Sequence, residues 1–136
     1  MIPIYEDEHL LVLDKPSGLL SVPGRGPDKQ DCLSKRVQDI YPEALVVHRL
    51  DQDTSGLLIM ARGIEAQRRI SRMFENRLVK KRYIAVVAGD LRNAPAHSAA
   101  NAEGWHTIEG NIMLDWERRP IHIIHPDGKA SRSRWR

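Results

Sequence analysis

Residues 46–62 read VVHRLDQDTSGLLIMAR, and the predicted fold is organised around this stretch. The apolar runs at residues 45–47 and 57–60 have the composition of strands. The short connection between them carries an imidazole, a guanidinium, two carboxylates and two hydroxyls, from His48, Arg49, Asp51, Asp53, Thr54 and Ser55. A connection that only reverses the chain needs a glycine and a few solvated side chains. This density of functional groups therefore indicates a chemical role.

Asp51 is the strongest candidate within the connection. A carboxylate placed after a strand can act as a nucleophile or a base if a cation keeps it ionised, and His48 and Arg49 precede it closely. The alternative is a turn aspartate that caps local backbone amides, with Arg49 as its surface partner. Spacing alone favours this alternative, because perturbed carboxylates also occur in structural networks. Residues 53–55 are expected to form the turn and bond nearby backbone, and Gly56 to supply freedom where the second strand begins.

The remaining pattern predicts a mixed α+β fold with a largely antiparallel sheet flanked by helices. Turn chemistry at residues 15–18 separates the apolar runs 10–13 and 19–22. Leu33, Val37 and Ile40 lie at helical spacing, and Asp31 is the candidate N-cap. An amphipathic helix is predicted over residues 64–79, followed by a strand over residues 80–89. Residues 90–109 read as a loop, and the C-terminal part as a short strand at 120–126, a hairpin-type turn at 127–128 and a strand from residue 129.

Composition sets broad limits on the class of protein. The 136 residues predict one domain, and a net charge of +3 with a pI near 9.2 fits an anionic partner such as RNA, although many soluble proteins share that balance. The single cysteine, Cys32, excludes an internal disulfide, and the scattered histidines have no acidic or cysteine partners at metal-ligand spacing. Neither a signal peptide nor an apolar run long enough for a membrane span is visible, so a cytoplasmic protein is expected.

Three segments resemble the RluA family of pseudouridine synthases. HRLDQDTSGLLIMAR is similar to the family signature H-R-L-D-x-x-T-S-G followed by an apolar strand, with no break in the match. VLDKPSGLLSVPG resembles the N-terminal motif of the family, and KKRYIAVVAG its lysine-x-tyrosine strand. The sequence LDWERRP followed by GKASRSRW resembles a later segment with a proline-containing strand and a Gly-Lys turn. The resemblance spans nearly the whole chain and favours the short form without an N-terminal RNA-binding module.

The resemblance implies isomerisation of uridine to pseudouridine within structured RNA, either 23S ribosomal RNA, a tRNA anticodon stem-loop, or both. Asp51 matches the catalytic aspartate, which attacks the ribose or the base or removes a ribose proton. Arg49 matches the arginine that fills the gap left by the flipped uridine, and Tyr83 matches the active-site tyrosine. His48, Lys81 and Arg82 complete the expected RNA-binding set with Arg49. The reaction is redox-neutral, so no cofactor and no metal are expected, and a monomer is expected.

One departure from the family pattern lies at the C-terminus. The family carries a later motif whose arginine pairs with the catalytic aspartate, and nothing in this sequence matches it. The expectation is therefore a single catalytic domain over residues 1–136 that is incomplete at its C-terminus and poorly active as it stands. Two other functions are considered: a non-catalytic RNA-binding module of the same fold, and a glycosidase that releases free uracil.

Overall fold

The two apolar runs on either side of residues 48–56 form neighbouring antiparallel strands, as the sequence predicts. The computed structural model describes residues 2–90 and 99–136, and in it β3 (Ala44–Val46) pairs with β4 (Gly56–Arg62). The other side of β4 pairs with β2 (Leu10–Lys15), and β1 (Tyr5–Glu6) completes an antiparallel sheet of order β1-β2-β4-β3. Lys15, the last residue of β2, pairs with Gly56, where the connection between β3 and β4 ends.

One face of this sheet forms the core. Leu11 pairs with Met60 and Leu13 with Leu58, and all four side chains are buried, as expected for alternate residues of paired strands. Two helices contribute to the same unit, α1 (Leu33–Gln38) and α2 (Ile64–Glu75), with a short 3₁₀ turn at Pro27–Lys29 before α1. The remaining members of the core cluster are Leu19, Leu33, Val37, Ala44 and Leu50.

Both helices differ at one end from the sequence prediction. The predicted N-cap Asp31 is wrong, because α1 begins after Cys32 and Asp31 instead accepts two hydrogen bonds from Arg36, at 2.7 and 2.6 Å. Helix α2 ends at Glu75, short of residue 79. Arg77 adopts a left-handed backbone (φ 57°), and the amides of Arg77 and Leu78 donate back to the carbonyls of Phe74 and Met73. This pattern is a Schellman motif, which satisfies the last helical carbonyls and turns the chain.

The chain divides into two compact units, Met1–Tyr83 and Ile84–Arg136. The second contains a three-stranded antiparallel sheet of order β6-β5-β7, formed by β5 (His106–Leu114), β6 (His122–Ile124) and β7 (Lys129–Trp135). The single domain expected over residues 1–136 stays a prediction. None of the described helices is long and apolar enough to span a membrane.

Strands β6 and β7 confirm the sequence prediction, but two details of this unit differ from it. The turn at Asp127 and Gly128 forms, yet it does not close a hairpin, because β6 and β7 both pair with β5. A Cβ on Gly128 would lie 2.7 Å from the backbone of Asn111, so the close approach to β5 requires glycine. Strand β5 was missed, since its first residues were assigned to the loop 90–109. Residues 91–98 of that predicted loop lie outside the described residues.

The predicted strand over residues 80–89 is wrong. No ladder pairing includes this segment in the part of the chain that the structure describes, and its side chains are exposed. The sequence pattern is rich in β-branched residues, but a strand is stabilised by hydrogen bonds to a neighbouring strand. Without such a neighbour the propensity of these residues does not produce a strand.

The side chain of Lys15 links the end of β2 to the connection between β3 and β4. Its side chain is 0% exposed, and its Nζ donates to the carbonyls of Leu19 at 2.7 Å, Gln52 at 2.8 Å and Pro16 at 3.1 Å. The three acceptors satisfy all three ammonium protons, as a buried charge requires. Burial lowers the pKa of Lys15, and the carboxylates of Asp53 and Asp51 partly offset this effect.

His48 connects the same region to α2. Its ring stacks on Phe74 with centroids 4.5 Å apart and planes inclined by 26°. The backbone amide of Ile59 in β4 donates to His48 Nε2 at 2.9 Å, so this nitrogen is unprotonated. Burial, together with the nearby positive charge of Lys81, lowers the pKa of His48 below its ordinary value.

The Lys15 contacts predict that Lys15→Met lowers the free energy of unfolding by about 3 kcal/mol, because carbonyl oxygens at the buried site lose their charged donor. Lys35→Met is the matched control: Lys35 is exposed in the same unit and its replacement should change stability by less than about 0.5 kcal/mol. Urea unfolding of the two variants measures both values. Equal effects of the two substitutions would contradict the role of Lys15.

The His48 contacts predict a pH-dependent stability. Above about pH 6.5 the imidazole is neutral in both states and its full contribution is present. As the pH falls below 6.5, the unfolded chain takes up a proton before the folded chain does, so stability declines toward the lowered folded-state pKa. Urea unfolding between pH 8 and 5.5 should therefore show a decline that is smaller in His48→Gln. The exposed His9 provides the control, and a His9→Gln variant with the same loss of pH dependence would refute the assignment.

Candidate active site

The backbone of residues 50–53 is held by the segment from Lys15 to Ser21. The carbonyl of Gln52 accepts from Lys15 Nζ and from the amide of Gly18, at 2.8 and 2.9 Å. The Gln52 side-chain amide donates back to the carbonyl of Gly18 at 3.0 Å, and Ser17 Oγ donates to the carbonyl of Asp53 at 2.8 Å. Ser21 Oγ bonds the backbone of Leu50. Hydrogen bonds therefore join the segment from Lys15 to Ser21 to the backbone on both sides of Asp51.

The Asp51 carboxylate itself is exposed and makes no hydrogen bond or ion pair among the described residues. Only its carbonyl is bonded, by the amide of Thr54 at 3.1 Å, which closes the turn. Asp7 shows what a capping aspartate looks like in this chain: one carboxylate oxygen accepts the amides of His9 and Leu10, both at 2.8 Å, and the pKa of Asp7 is lowered by these bonds. The alternative of Asp51 as a turn cap partnered by Arg49 is therefore not what the structure contains.

The turn after Asp51 forms as predicted, but by a different set of bonds. The side chains of residues 53–55 make no hydrogen bond within the described part of the chain, and main-chain groups close the turn instead. Gly56 begins β4 with φ 114°, a left-handed value that side chains rarely adopt. The conformational freedom predicted for Gly56 thus allows the backbone angle with which β4 begins.

The electrostatic surroundings of Asp51 include Lys15. The charge of Asp51 acts, with that of Asp53, to raise the pKa of Lys15 against the stronger lowering effect of burial. Lys15 thus lies close enough to both carboxylates for their charges to act on its ammonium group. A positive charge therefore lies near the loop, although the Asp51 carboxylate makes no direct ion pair within the described residues.

Arg49 and His48 have different surroundings despite being adjacent. Arg49 is exposed and forms no hydrogen bond or ion pair with any other described residue, so its guanidinium is available to a ligand. His48 is half-buried, stacked on Phe74 and bonded through Nε2. Its imidazole is thus committed to the packing of the loop against α2 and β4.

The predicted residues of the third motif are only partly brought to the loop. Lys81 Nζ lies 5.9 Å from the centroid of the Phe74 ring, on which His48 stacks, so Lys81 is placed beside the connection. Tyr83 is 58% exposed, and no hydrogen bond or ring contact joins it to Asp51 in the described residues. Arg82 is exposed and engaged in other contacts. Tyr83 lies on the segment whose predicted strand does not form.

The arginine-rich face of α2 is exposed, as an amphipathic helix predicts. Arg68 pairs with Glu65 at 3.0 Å, while Arg69 and Arg72 line an open groove against Asp7 and neighbouring residues. This groove lies at the opposite end of β2 from Lys15. In residues 2–90 and 99–136, no three His, Cys, Asp or Glu side chains group as metal ligands would, and the expected absence of a metal and a cofactor stays a prediction.

Four contributors to the site were not identified from the sequence: Lys15, Ser17, Gly18 and Ser21. Their segment predicts a turn at residues 15–18 and an apolar run at residues 19–22, and it resembles the N-terminal motif of the family, but none of these patterns assigns the four residues a role. The available signal was the lysine at the end of an apolar strand, because a lysine that continues the core-facing alternation Leu11, Leu13 must be buried and partnered.

Comparison with known proteins gives a consistent family. The family model described as RNA pseudouridylate synthase matches residues 9–134. The dual-specificity RNA pseudouridine synthase RluA of Yersinia pestis is 41% identical over 136 residues, covering 99% of this chain and 61% of the relative. Proteins of the same name from Vibrio vulnificus and Escherichia coli K12 are 41% and 37% identical, and the alignments cover 48% and 58% of their lengths.

This chain therefore spans about half to three-fifths of the length of these curated relatives. Among solved structures, human RNA pseudouridylate synthase domain containing 4 superposes with a TM-score of 0.53 at 16% identity, over 96% of this chain and 47% of the human chain. At that identity the superposition establishes a shared fold. The α+β class predicted from the sequence is confirmed. Because the family match covers nearly all of the sequence, the chain belongs to the RNA pseudouridylate synthase family.

Proposed function

We propose that this chain carries the catalytic carboxylate of an RNA pseudouridine synthase, and that this carboxylate is Asp51. The observation that carries the proposal is the contrast between the loop and the side chain. The backbone of residues 50–53 is fixed by hydrogen bonds to the segment from Lys15 to Ser21, whereas the carboxylate is exposed and unbonded. A carboxylate held for structural reasons would use its oxygens, as Asp7 does.

The isomerisation breaks the bond between N1 of uracil and C1′ of ribose and forms a bond between C5 and C1′, while a proton leaves C5 and N1 gains one. A carboxylate beside the anomeric carbon can manage the charge that develops there, as in other glycosidic chemistry. Attack of Asp51 on the ribose, attack on the base and removal of a ribose proton are all compatible with an exposed carboxylate on a fixed loop. Lys15 places a positive charge near this loop, where its ammonium group is bonded to the carbonyl of Gln52.

The other predicted site residues take roles that follow from their exposure. Arg49 is free to occupy the space that a flipped uridine leaves, for which a planar cation that stacks is suited. Tyr83 is proposed to stack on the freed base and to assist removal of the C5 proton. Lys81 and Arg82 are proposed to contact the RNA backbone. His48 is proposed to act in RNA binding by holding the loop, since its ring nitrogen is already bonded.

The proposed substrates are structured RNAs. The curated relatives are named dual-specificity RNA pseudouridine synthases. On that basis we infer 23S ribosomal RNA, a tRNA anticodon stem-loop or both as targets of the protein that carries this chain. It is proposed to act as a cytoplasmic monomer without cofactor or metal.

The proposal predicts that Asp51→Asn, introduced into the chromosomal gene, abolishes pseudouridine at the target sites, with a rate loss of at least about a hundredfold. Asp53→Asn is the matched control: its carboxylate is also exposed and lies on the same turn, and the substitution removes the same charge. Mapping pseudouridine in total cellular RNA from the two strains compares them directly. Sites lost in Asp51→Asn and kept in Asp53→Asn support the assignment.

Two results would contradict it. If every pseudouridine site persists in Asp51→Asn cells, the chain is a non-catalytic RNA-binding module or Asp51 is not its catalytic group. If purified protein releases free uracil from RNA in an Asp51-dependent manner, the activity is that of a glycosidase, because an isomerase retains the base.

A further inference from the structure

Ser21 makes two hydrogen bonds with one residue, Leu50, which directly precedes Asp51. Ser21 Oγ donates to the carbonyl of Leu50 at 2.6 Å and accepts from the amide of Leu50 at 3.0 Å. The serine is 4% exposed, and the Leu50 side chain is itself part of the core. One hydroxyl therefore satisfies both backbone groups of a buried residue.

The position of Leu50 explains why it needs this partner. It lies in the connection between β3 and β4, outside the ladder pairing that satisfies strand backbone. Neither its amide nor its carbonyl has another hydrogen-bond partner among the described residues. A buried amide and carbonyl left without partners each cost about 1 to 3 kcal/mol, so the loop conformation depends on the hydroxyl of Ser21.

Ser21 is in turn fixed by α1. The amide of Ser34, in the first turn of α1, donates to the carbonyl of Ser21 at 3.1 Å, and the amide of Leu33 donates to the carbonyl of Leu20 at 2.8 Å. Leu20 and Cys32 form an isolated parallel bridge. A continuous set of contacts thus runs from the start of α1 through Ser21 to Leu50, and the next residue is Asp51.

We propose that Ser21 is a positioning residue that sets the direction in which Asp51 leaves the core. Leu50 is anchored on one side by its side chain and on the other by the hydroxyl of Ser21, so the Cα of Asp51 has little freedom. Lys15 fixes the loop after Asp51, through Gln52, whereas Ser21 fixes it before Asp51. The inference rests on the proposed catalytic role of Asp51, because a misdirected carboxylate loses rate when chemistry requires alignment with the substrate.

The test compares Ser21→Ala with Ser34→Ala. Both serines are 4% exposed, but within the described residues the hydroxyl of Ser34 has one hydrogen-bond partner, the sulfur of Cys32 at 3.4 Å, and forms no hydrogen bond with the loop. Amide hydrogen exchange, followed by NMR on the 136-residue chain, should show Leu50 exchanging at least about tenfold faster in Ser21→Ala. The amide of Ile59, bonded to His48, is the internal reference and should be unchanged. Ser34→Ala should leave both rates as in the wild type.

The kinetic arm uses the complete protein from the chromosomal gene and its RNA substrate. Ser21 is buried and does not meet RNA, so Ser21→Ala should lower kcat by at least about tenfold with KM unchanged. Ser34→Ala should leave kcat as it is. Ser21→Thr keeps a hydroxyl and should recover most of the lost rate. Because a loss of folded protein by itself also lowers the apparent kcat at unchanged KM, kcat is expressed per folded enzyme, with the folded fraction of each variant measured by circular dichroism, and the tenfold loss should persist after this correction.

The outcomes separate the two proposals. If Asp51→Asn retains activity while Ser21→Ala speeds exchange at Leu50, the proposed function fails and the positioning role in catalysis fails with it. If Asp51→Asn is inactive but Ser21→Ala changes neither exchange nor kcat, or exchange alone, the inference about Ser21 is wrong and the proposed function stands. Should Ser21→Ala not fold, Ser21→Cys provides a weaker donor of similar shape. It should then show the same changes in smaller size, and wild-type values in that variant would overturn the inference.

Discussion

The ammonium group of Lys15 is the interaction on which the rest of the site depends. It donates hydrogen bonds to the carbonyls of Leu19 and Gln52, which belong to two segments far apart in sequence. A fully buried lysine is costly in an apolar environment, and burial does lower its pKa. The cost is offset because every ammonium proton meets a carbonyl and because two carboxylates lie close by. The same arrangement forces the turn after β2 and the loop before β4 to fold together.

As a consequence, hydrogen bonds hold the backbone of the loop, while two of its functional side chains remain exposed. Main-chain groups of residues 50–53 are bound by Lys15, Ser17, Gly18 and Ser21, while the side chains of Asp51 and Arg49 are left exposed. Such an arrangement neither stabilises nor destabilises a loop whose only role is to connect strands, since these two exposed side chains make no hydrogen bond or ion pair within the described residues. It is favourable for a site that must meet a flexible RNA substrate with its catalytic group already oriented.

His48 shows why proximity to a proposed catalytic residue does not by itself assign chemistry. The histidine was predicted to bind RNA because it belongs to the signature. In the structure its ring is stacked on Phe74 and accepts the amide of Ile59, so it fastens the loop to both α2 and β4. The lowered pKa of His48 follows from this packing and from the charge of Lys81. The lowered pKa of His48 is therefore a consequence of how the ring is packed, and it does not indicate a role in chemistry.

The sequence predicted those elements whose pattern is local. Strands β2, β3 and β4 and helix α2 follow from apolar periodicity, and the turn at residues 15–18 from proline and glycine. The predicted strand at residues 80–89 failed because strand formation needs a partner that periodicity does not describe. Strand β5 was missed because its glycine, asparagine and glutamate resemble a loop until β6 and β7 flank it. The partners of Lys15 and Ser21 depend on tertiary contacts, and spacing along the chain cannot identify them.

The Lys15 ammonium can be observed directly by ¹⁵N-resolved NMR of the lysine side chains. Three hydrogen bonds in a buried site should slow proton exchange of this group enough to give a sharp signal at neutral pH, well separated from exposed lysines such as Lys35. That signal should carry contacts to protons of residues 19 and 52. A Lys15 ammonium that exchanges as fast as Lys35, without those contacts, would show that the loop bearing Asp51 is not held in this way.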